Sequence, residues 1–240
     1  LKKPNPISDL SAVVTGIILA MNVPVGMPIG QLIIGDLVAI VIVKQLFGGI
    51  GMNFANPALV GRIVLFLSFS KTMTAWVFPD AVSSATPLAQ LAAGQKPELL
   101  TLLLGNHGGC IGETCALALL LGGAYLLVRG VITWQTPVCF VGTVFVLSLV
   151  LGQDALRQVL SGGLLLGAFF MATDYVTSPM THKGQLVYGV AIGVLTIVIR
   201  NWGSYPEGMS FAILIMNAFT PLINTYIKPK RFGEEPAKQK

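Results

Sequence analysis

The sequence predicts an all-α fold, a polytopic membrane helix bundle, and three observations carry that reading. The 240 residues are 54% hydrophobic and only 10% charged, with a mean hydropathy of +0.77. A soluble domain of that size has no interior large enough to hide so much apolar surface. The apolar residues come in helical blocks of roughly 17–25 residues broken by Gly, Pro and Asn, whereas a membrane barrel needs short strands of alternating polarity. Helices satisfy their own backbone groups in hydrocarbon, which makes them the natural spanning unit. The third observation is an internal repeat. Gly30-Gln31-Leu32, an apolar run, Lys44 and Gly51-Met52-Asn53-Phe54-Ala55 parallel Gly184-Gln185-Leu186, an apolar run, Arg200 and Gly208-Met209-Ser210-Phe211-Ala212.

Taken in order, residues 1–8 form a basic, Pro-broken entry. A first helix runs from about Asp9 to Val23, with Asp9 placed as its N-cap. Pro24 and Pro28 make the turn into a second helix, Ile29 to Phe47, which carries Asp36 and Lys44 and ends at Gly48-Gly49-Ile50-Gly51. The third helix starts at Asn56-Pro57, where Pro suits the first turn, and continues through Arg62 to about Ser70. Residues 71–110 read as a long loop. Helices four to eight cover about Ile111–Val128, Ile132–Leu151, Val159–Ala172, Gly184–Ile199 and Met209–Ile227, and the polar tail follows.

Helices two and three match seven and eight, an offset of five. An odd offset makes equivalent helices cross in opposite senses, which is an inverted repeat. The expectation is therefore an inverted repeat of five helices each, with the first two helices absent from this chain and eight spans present. Residues 1–70 supply the last three helices of the first repeat, 71–110 an outward-facing loop, 111–227 the second repeat and 228–240 a cytoplasmic tail. The basic residues agree with this topology. Ten Lys and Arg (Lys2, Lys3, Lys44, Arg129, Lys183, Lys228, Lys230, Arg231, Lys238, Lys240) fall on one side and four (Lys71, Lys96, Arg157, Arg200) on the other. That bias puts both termini in the cytoplasm and the 71–110 loop outside.

The net charge of +5 sits at the ends and in short loops, so it reports orientation, and there is no nucleic-acid motif. Cys110, Cys115 and Cys139 have no disulfide framework and no metal spacing, and read as small apolar fillers. The segment Asp80-Ala81-Val82-Ser83-Ser84-Ala85-Thr86-Pro87-Leu88 is the polar, small-residue stretch among apolar runs. Pro87 biases Thr86 away from helix. The residues alone describe an accessible Thr, or an ordinary Ser/Thr linker. Asp36, an acid in an apolar helix, reads as an ion-pathway carboxylate or as half of a pair with a polar group on a neighbouring helix or subunit. Glu113, at the predicted start of helix four, complements the helix dipole or serves ion passage. Arg62 leads toward the Thr86 loop and reads as a phosphate partner, a helix-end anchor or an ion-pair member. Lys44 and Arg200 read as snorkelling anchors, Asp174 as a cap, and Trp76, Trp134 and Trp202 as an interfacial belt. His107 and His182 are loop residues with no assigned role.

Several segments together carry a family resemblance: Asp9 to Gly16, Lys44-Gln45-Leu46-Phe47-Gly48-Gly49-Ile50-Gly51, Asn56-Pro57-Ala58, Asp80 to Leu88, Leu166-Gly167-Ala168-Phe169-Phe170 with Thr173-Asp174, and Tyr205-Pro206-Glu207-Gly208. On these the chain resembles, over almost its whole length, the D subunit of Rnf-type electron-transport complexes. More distantly it is similar to the B subunit of the sodium-translocating NADH:quinone reductase. The resemblance implies that a flavin transferase reads Asp80, Ser83, Ser84 and Ala85 and joins FMN through its phosphate to the hydroxyl of Thr86. Ser84 stands where Gly is often found, and its small side chain suits the same narrow slot. Such transferases act outside the cytoplasm, the side to which the charge count assigns this loop.

The resemblance further implies a subunit of a redox pump in the inner membrane that couples ferredoxin and NAD chemistry to Na⁺ or H⁺ movement. No catalytic residue and no metal ligand belong to this chain in that reading. The implied partners are the covalent-FMN G subunit, the iron–sulfur A and E subunits, and the C and B subunits. The breaks at Asn53–Pro57 and Gly208–Phe211 suggest half-helices meeting at midplane, read either as a second, non-covalent flavin site or as close packing of small residues. Two other functions are weighed against this one: a passive channel or solute transporter of urea-transporter-like fold, and the quinone-reductase B subunit. A channel has no reason to contain Asp80 to Thr86.

Overall fold

In a computed structural model of the chain, the described residues are 9–76, 85–203 and 207–228. Every regular element among them is helical, joined by one antiparallel bridge between Pro24 and Cys110. Helix α1 (Ser11–Met21) starts after Leu10, whose φ of 54° puts it in the left-handed region. Asp9 is thus not the N-cap expected of it. It sits one residue further out, and its Oδ1 accepts from the Ser11 N–H at 2.8 Å.

Helix α2 (Ile29–Leu37) follows Pro28 and passes directly into π-helical turns over Val38–Gln45. The wider turns rotate the later positions, and the sequence neighbours Val43 and Lys44 are both buried there. Helix α3 (Pro57–Ser68) has Pro57 in its first turn, and the Asn56 side chain accepts from Leu59 N at 3.3 Å. The same Asn56 donates through Nδ2 to the Met171 carbonyl at 3.3 Å, tying the start of α3 to the second half of the chain.

The stretch expected to be one long loop, 71–110, is more structured than that. It contains the end of α4 (Ser70–Met73), then α5 (Pro87–Ala92) and α6 (Leu99–Leu104). These helices are too short for a period to show in sequence; local capping at Thr86 and burial of Leu102 hold two of them. Helix α7 (Ala116–Val128) begins five residues later than expected. The delay has a cause: Ile111 N and Gly112 N donate to Val23 O (3.3 Å) and Met21 O (2.7 Å), pinning residues 110–112 to the chain after α1.

Helix α8 (Gln135–Val150) is followed by a segment expected to be a single helix and found broken. Helix α9 (Ala155–Leu160) stops at Ser161, Gly162 takes φ 68°, and α10 (Leu164–Leu166) restarts and runs into π turns over Gly167–Met171. Arg200 closes the break, donating from Nη1 to Gln158 O at 2.7 Å and from Nη2 to Ser161 O at 3.1 Å. It therefore points inward as a cap for orphan carbonyls and is not a snorkelling anchor. Lys44 likewise is buried. Asp174 caps no helix either: it accepts from Val176 N and the Thr177 hydroxyl within its own turn.

Helix α11 (His182–Trp202) starts two residues earlier than expected because Thr181 caps it by accepting from Gly184 N at 3.1 Å, so His182 is helical. Helix α12 (Met209–Tyr226) carries Pro221 inside. Among the described residues, α11 and α12 are long and apolar enough to cross a membrane, with mean hydropathies of 1.4 and 1.2. Outward-facing Val, Leu and Ile along α1, α2, α7 and α8 fit a lipid or subunit environment.

The larger core joins Leu59 of α3 and Leu102 to Phe140, Leu164, Tyr188 and Met209, and a second cluster joins Leu19, Val23, Leu65 and Met73 around α1, α3 and α4. Helices α8 and α11 approach closely because α11 presents Gly189 and Gly193. A Cβ on Gly189 would stand 2.8 Å from the Thr136 carbonyl, a backbone atom that cannot swing away. Gly189→Ala is expected to cost about 1–3 kcal/mol, read as a lower unfolding midpoint in detergent. Gly142→Ala, on α8 with nothing within 4 Å of the added carbon, should leave that midpoint unchanged or raise it.

Candidate functional site

Thr86 immediately precedes α5. Its ψ of 155° is the extended conformation that Pro87 imposes, and its Oγ1 accepts from Ala89 N at 3.3 Å. Ala85 beside it is exposed, and its carbonyl takes the Gln90 side-chain N–H at 2.9 Å. Asp80, Ser83 and Ser84 lie outside the described residues. Half-buried Thr86 lines a cavity of about 100 Å³ whose walls are mostly apolar, among them Ile63, Phe66, Trp76, Leu88 and Phe211. Phe66 and Phe211 meet edge to face there, with centroids 6.3 Å apart. Trp76 thus lines this cavity. Trp134 and Trp202 are exposed, beside α8 and at the end of α11.

The polar side of the cavity is a buried charge cluster assembled from distant parts of the chain. Arg62, only 3% exposed on α3, pairs with Glu207, which immediately precedes Gly208 and α12. Its Nη1 donates to Ser210 Oγ at 2.6 Å and its Nη2 contacts Cys110 Sγ at 3.7 Å. Of the roles open to Arg62 in the sequence, the ion pair is the one the fold realises. Glu113 is not in the first turn of a helix, so dipole complementation is not its role. It is buried in the turn before α7, accepting from Cys110 N at 2.9 Å. A Cβ on Gly163 would stand 2.9 Å from Glu207 Oε1 and 3.2 Å from Glu113 Oε2, so the two carboxyls converge on the break between α9 and α10. Glycine at 163 leaves the room they need.

His107 also lines this cavity, buried, with Nδ1 3.2 Å from the Gly108 carbonyl. Outside the cluster, Asp154 caps α9. The Arg157 N–H and guanidinium bound to its carboxylate hold its pKa below the ordinary range.

A second, larger cavity of about 450 Å³ lies between the π turns and α3, lined by Asp9, Lys44, Asn53, Asn56, Phe169, Phe170, Asp174 and Tyr175 among others. Lys44 has Asp9 and Asp174 as its electrostatic partners. Asp36 belongs to neither cavity. It faces Gly16 of α1 across the helix crossing, and its Oδ1 is enclosed without a hydrogen-bond partner among the described residues.

A family model described as the NQR2, RnfD, RnfE family matches residues 1–233. The chain belongs to this family. It is 48% identical over 241 residues to the D subunit of the Na(+)-translocating ferredoxin:NAD(+) oxidoreductase complex of Acetobacterium woodii, covering 97% of this chain and 76% of that protein. It is 42% identical to the D subunit of the proton-translocating ferredoxin:NAD(+) oxidoreductase complex of Clostridium ljungdahlii, covering 96% and 77%. It is 37% identical to the D subunit of the ion-translocating oxidoreductase complex of Stutzerimonas stutzeri, covering 94% and 76%. The resemblance to D subunits carried by the sequence motifs is thereby borne out.

The fold brings Arg62, Glu113 and Thr86 to one cavity and leaves Asp36 apart. Sequence reasoning gives no role to His107, and it meets Glu207 only within the Tyr205 to Gly208 motif. An acid between two apolar helices is a signal in itself, but nothing in spacing pairs it with an arginine 145 positions away. Removing one charge of the Arg62–Glu207 pair should destabilise the fold by about 3–5 kcal/mol. In detergent unfolding, Arg62→Met and Glu207→Gln should each lower the midpoint more than the double variant Arg62→Met/Glu207→Met does.

Proposed function

We propose that this chain is the flavin-carrying integral membrane subunit of an ion-translocating ferredoxin:NAD oxidoreductase complex, with FMN held through its phosphate on the Thr86 hydroxyl. The observation that carries the reading is the position of Thr86. The Asp80 to Thr86 motif ends at a residue that is half-buried, extended and open to an apolar cavity floored by aromatic rings. The residues present suit the group. The Thr86 oxygen serves as acceptor to Ala89 N, a role an ester oxygen keeps, and Ala85 adds no bulk on the approach. The cavity is well below the roughly 300–1,000 Å³ that encloses a whole ligand, so it receives the edge of a ring system. Arg62 is held by Glu207 and Ser210, so in this reading it fixes the cavity wall. Covalently held FMN supplies electron uptake and release, one or two at a time, without leaving the subunit.

The names of the relatives support a place in a complex that moves Na⁺ or H⁺; they differ in the ion, so identity alone leaves both in view. In this reading the chain has eight spans arranged by an inverted repeat in the inner membrane, both termini are cytoplasmic, and residues 71–110 face outward, between 1–70 and 111–227. The outward loop meets the transferase and the other flavin-bearing subunit, and the remaining subunits pack on the apolar outer faces. A second, non-covalent flavin is assigned to the larger cavity, whose Asn53 to Pro57 wall is one of the two midplane breaks and whose volume and aromatic residues suit a flavin. Asp36 and Glu113 are the candidate ion-pathway carboxylates, Glu113 by its convergence with Glu207 and Asp36 by its unpartnered oxygen.

Made together with a flavin transferase, the wild-type chain should give a fluorescent band after denaturing electrophoresis, and Thr86→Ala should abolish it. A dark wild-type band would refute the assignment. Thiol labelling from the outside should reach a cysteine placed at Lys96 and not one placed at Arg129, and the reverse pattern would invert the topology.

A further inference from the structure

We propose that His107 is the residue that recognises the group carried on Thr86, its Nε2 accepting a hydrogen bond from an N–H or O–H of that group. The assignment rests on Thr86 bearing FMN. His107 is 8% exposed and lines the same cavity as Thr86. Its Nδ1 lies 3.2 Å from the Gly108 carbonyl, an oxygen that only accepts, so the ring proton resides on Nδ1. In the neutral ring Nε2 is then a bare lone pair. It is enclosed and without a partner among the described residues, although buried acceptors are almost always paired.

The remaining walls make this lone pair distinctive. Of the other titratable groups on the cavity, Arg62 is committed to Glu207 and Ser210 and one Glu113 oxygen to Cys110 N, while Glu207 keeps Oε1 without a partner among the described residues at the break between α9 and α10. Around them stand Ile63, Phe66, Trp76, Leu88 and Phe211. An apolar slot with an uncommitted imidazole acceptor on its wall suits the edge of a planar heteroaromatic ring that carries an N–H. The isoalloxazine edge offers an imide N–H, and its chain offers hydroxyls. Either donor would satisfy Nε2, and no purely apolar occupant would.

The test uses the assembled complex made with its transferase. Three variants separate the roles: His107→Leu removes the acceptor, His107→Phe removes it while keeping a ring, and His107→Gln restores an acceptor. In-gel fluorescence comes first; a dark wild type refutes the flavin reading and the His107 assignment that rests on it, whereas a fluorescent wild type leaves the variants to decide the role of His107 alone. With covalent flavin equal to wild type, the Leu and Phe variants should show a displaced visible absorption band and a shifted midpoint potential, and Gln should return both toward wild type. Fully flavinylated Leu or Phe variants with unchanged spectrum and potential would overturn the proposal. Should those variants fail to assemble, the wild-type complex decides. Imidazole bands that move on ¹⁵N-histidine labelling and on His107→Gln should appear in its reduced-minus-oxidised infrared difference spectrum, and their absence overturns the assignment equally.

Discussion

Arg62 cannot lose its proton and cannot reach water from where it stands, so the fold around it must supply an anion and acceptors, and most of the site follows from that obligation. The guanidinium sits on α3 in the first half of the chain, while Glu207 and Ser210 come from the start of α12 in the second. A buried charge without its partner is far more costly than the pair is favourable. The two halves are therefore held in one relation: any slip between α3 and α12 strands a charge. Asn56, capping α3 and donating to Met171 O, adds a second tie across the same boundary.

The broken helix between α9 and α10 is the other half of this arrangement. Gly162 takes a left-handed turn that other residues rarely adopt, and Gly163 leaves space where the Glu113 and Glu207 carboxyls converge. Breaking a helix leaves carbonyls unsatisfied, and Arg200 meets two of them. Irregular backbone at depth is tolerated where protein groups satisfy it. Here those groups are cationic, so the break concentrates charge and small residues beside the cavity that Thr86 lines.

Much of this is legible in the sequence. The helical segments, the capping of α3 by Asn56-Pro57 and the extended Thr86 before Pro87 follow from local rules that act over a few residues. The short helices α5 and α6 are not legible, since six residues give no period. Nor is the late start of α7, because it depends on hydrogen bonds from 111 and 112 to the end of α1. Lys44 and Arg200 mislead for one reason: a cation near a helix end looks like an interfacial anchor until the carbonyls or acids that draw it inward are known. His107 carries no signal at all, because an unpaired nitrogen is a property of its surroundings.

By itself the sequence determined that this chain is a helical membrane protein, where its longer helices lie, and, through its motifs, the family to which it belongs. Those properties depend on composition, periodicity and residues close in the chain. Only the tertiary structure decided that Arg62, His107, Glu113 and Glu207 share one cavity with Thr86, and that Asp36 stands apart. These residues are brought together by helix packing and by the cost of burying unpaired charge, neither of which leaves a mark in spacing along the chain.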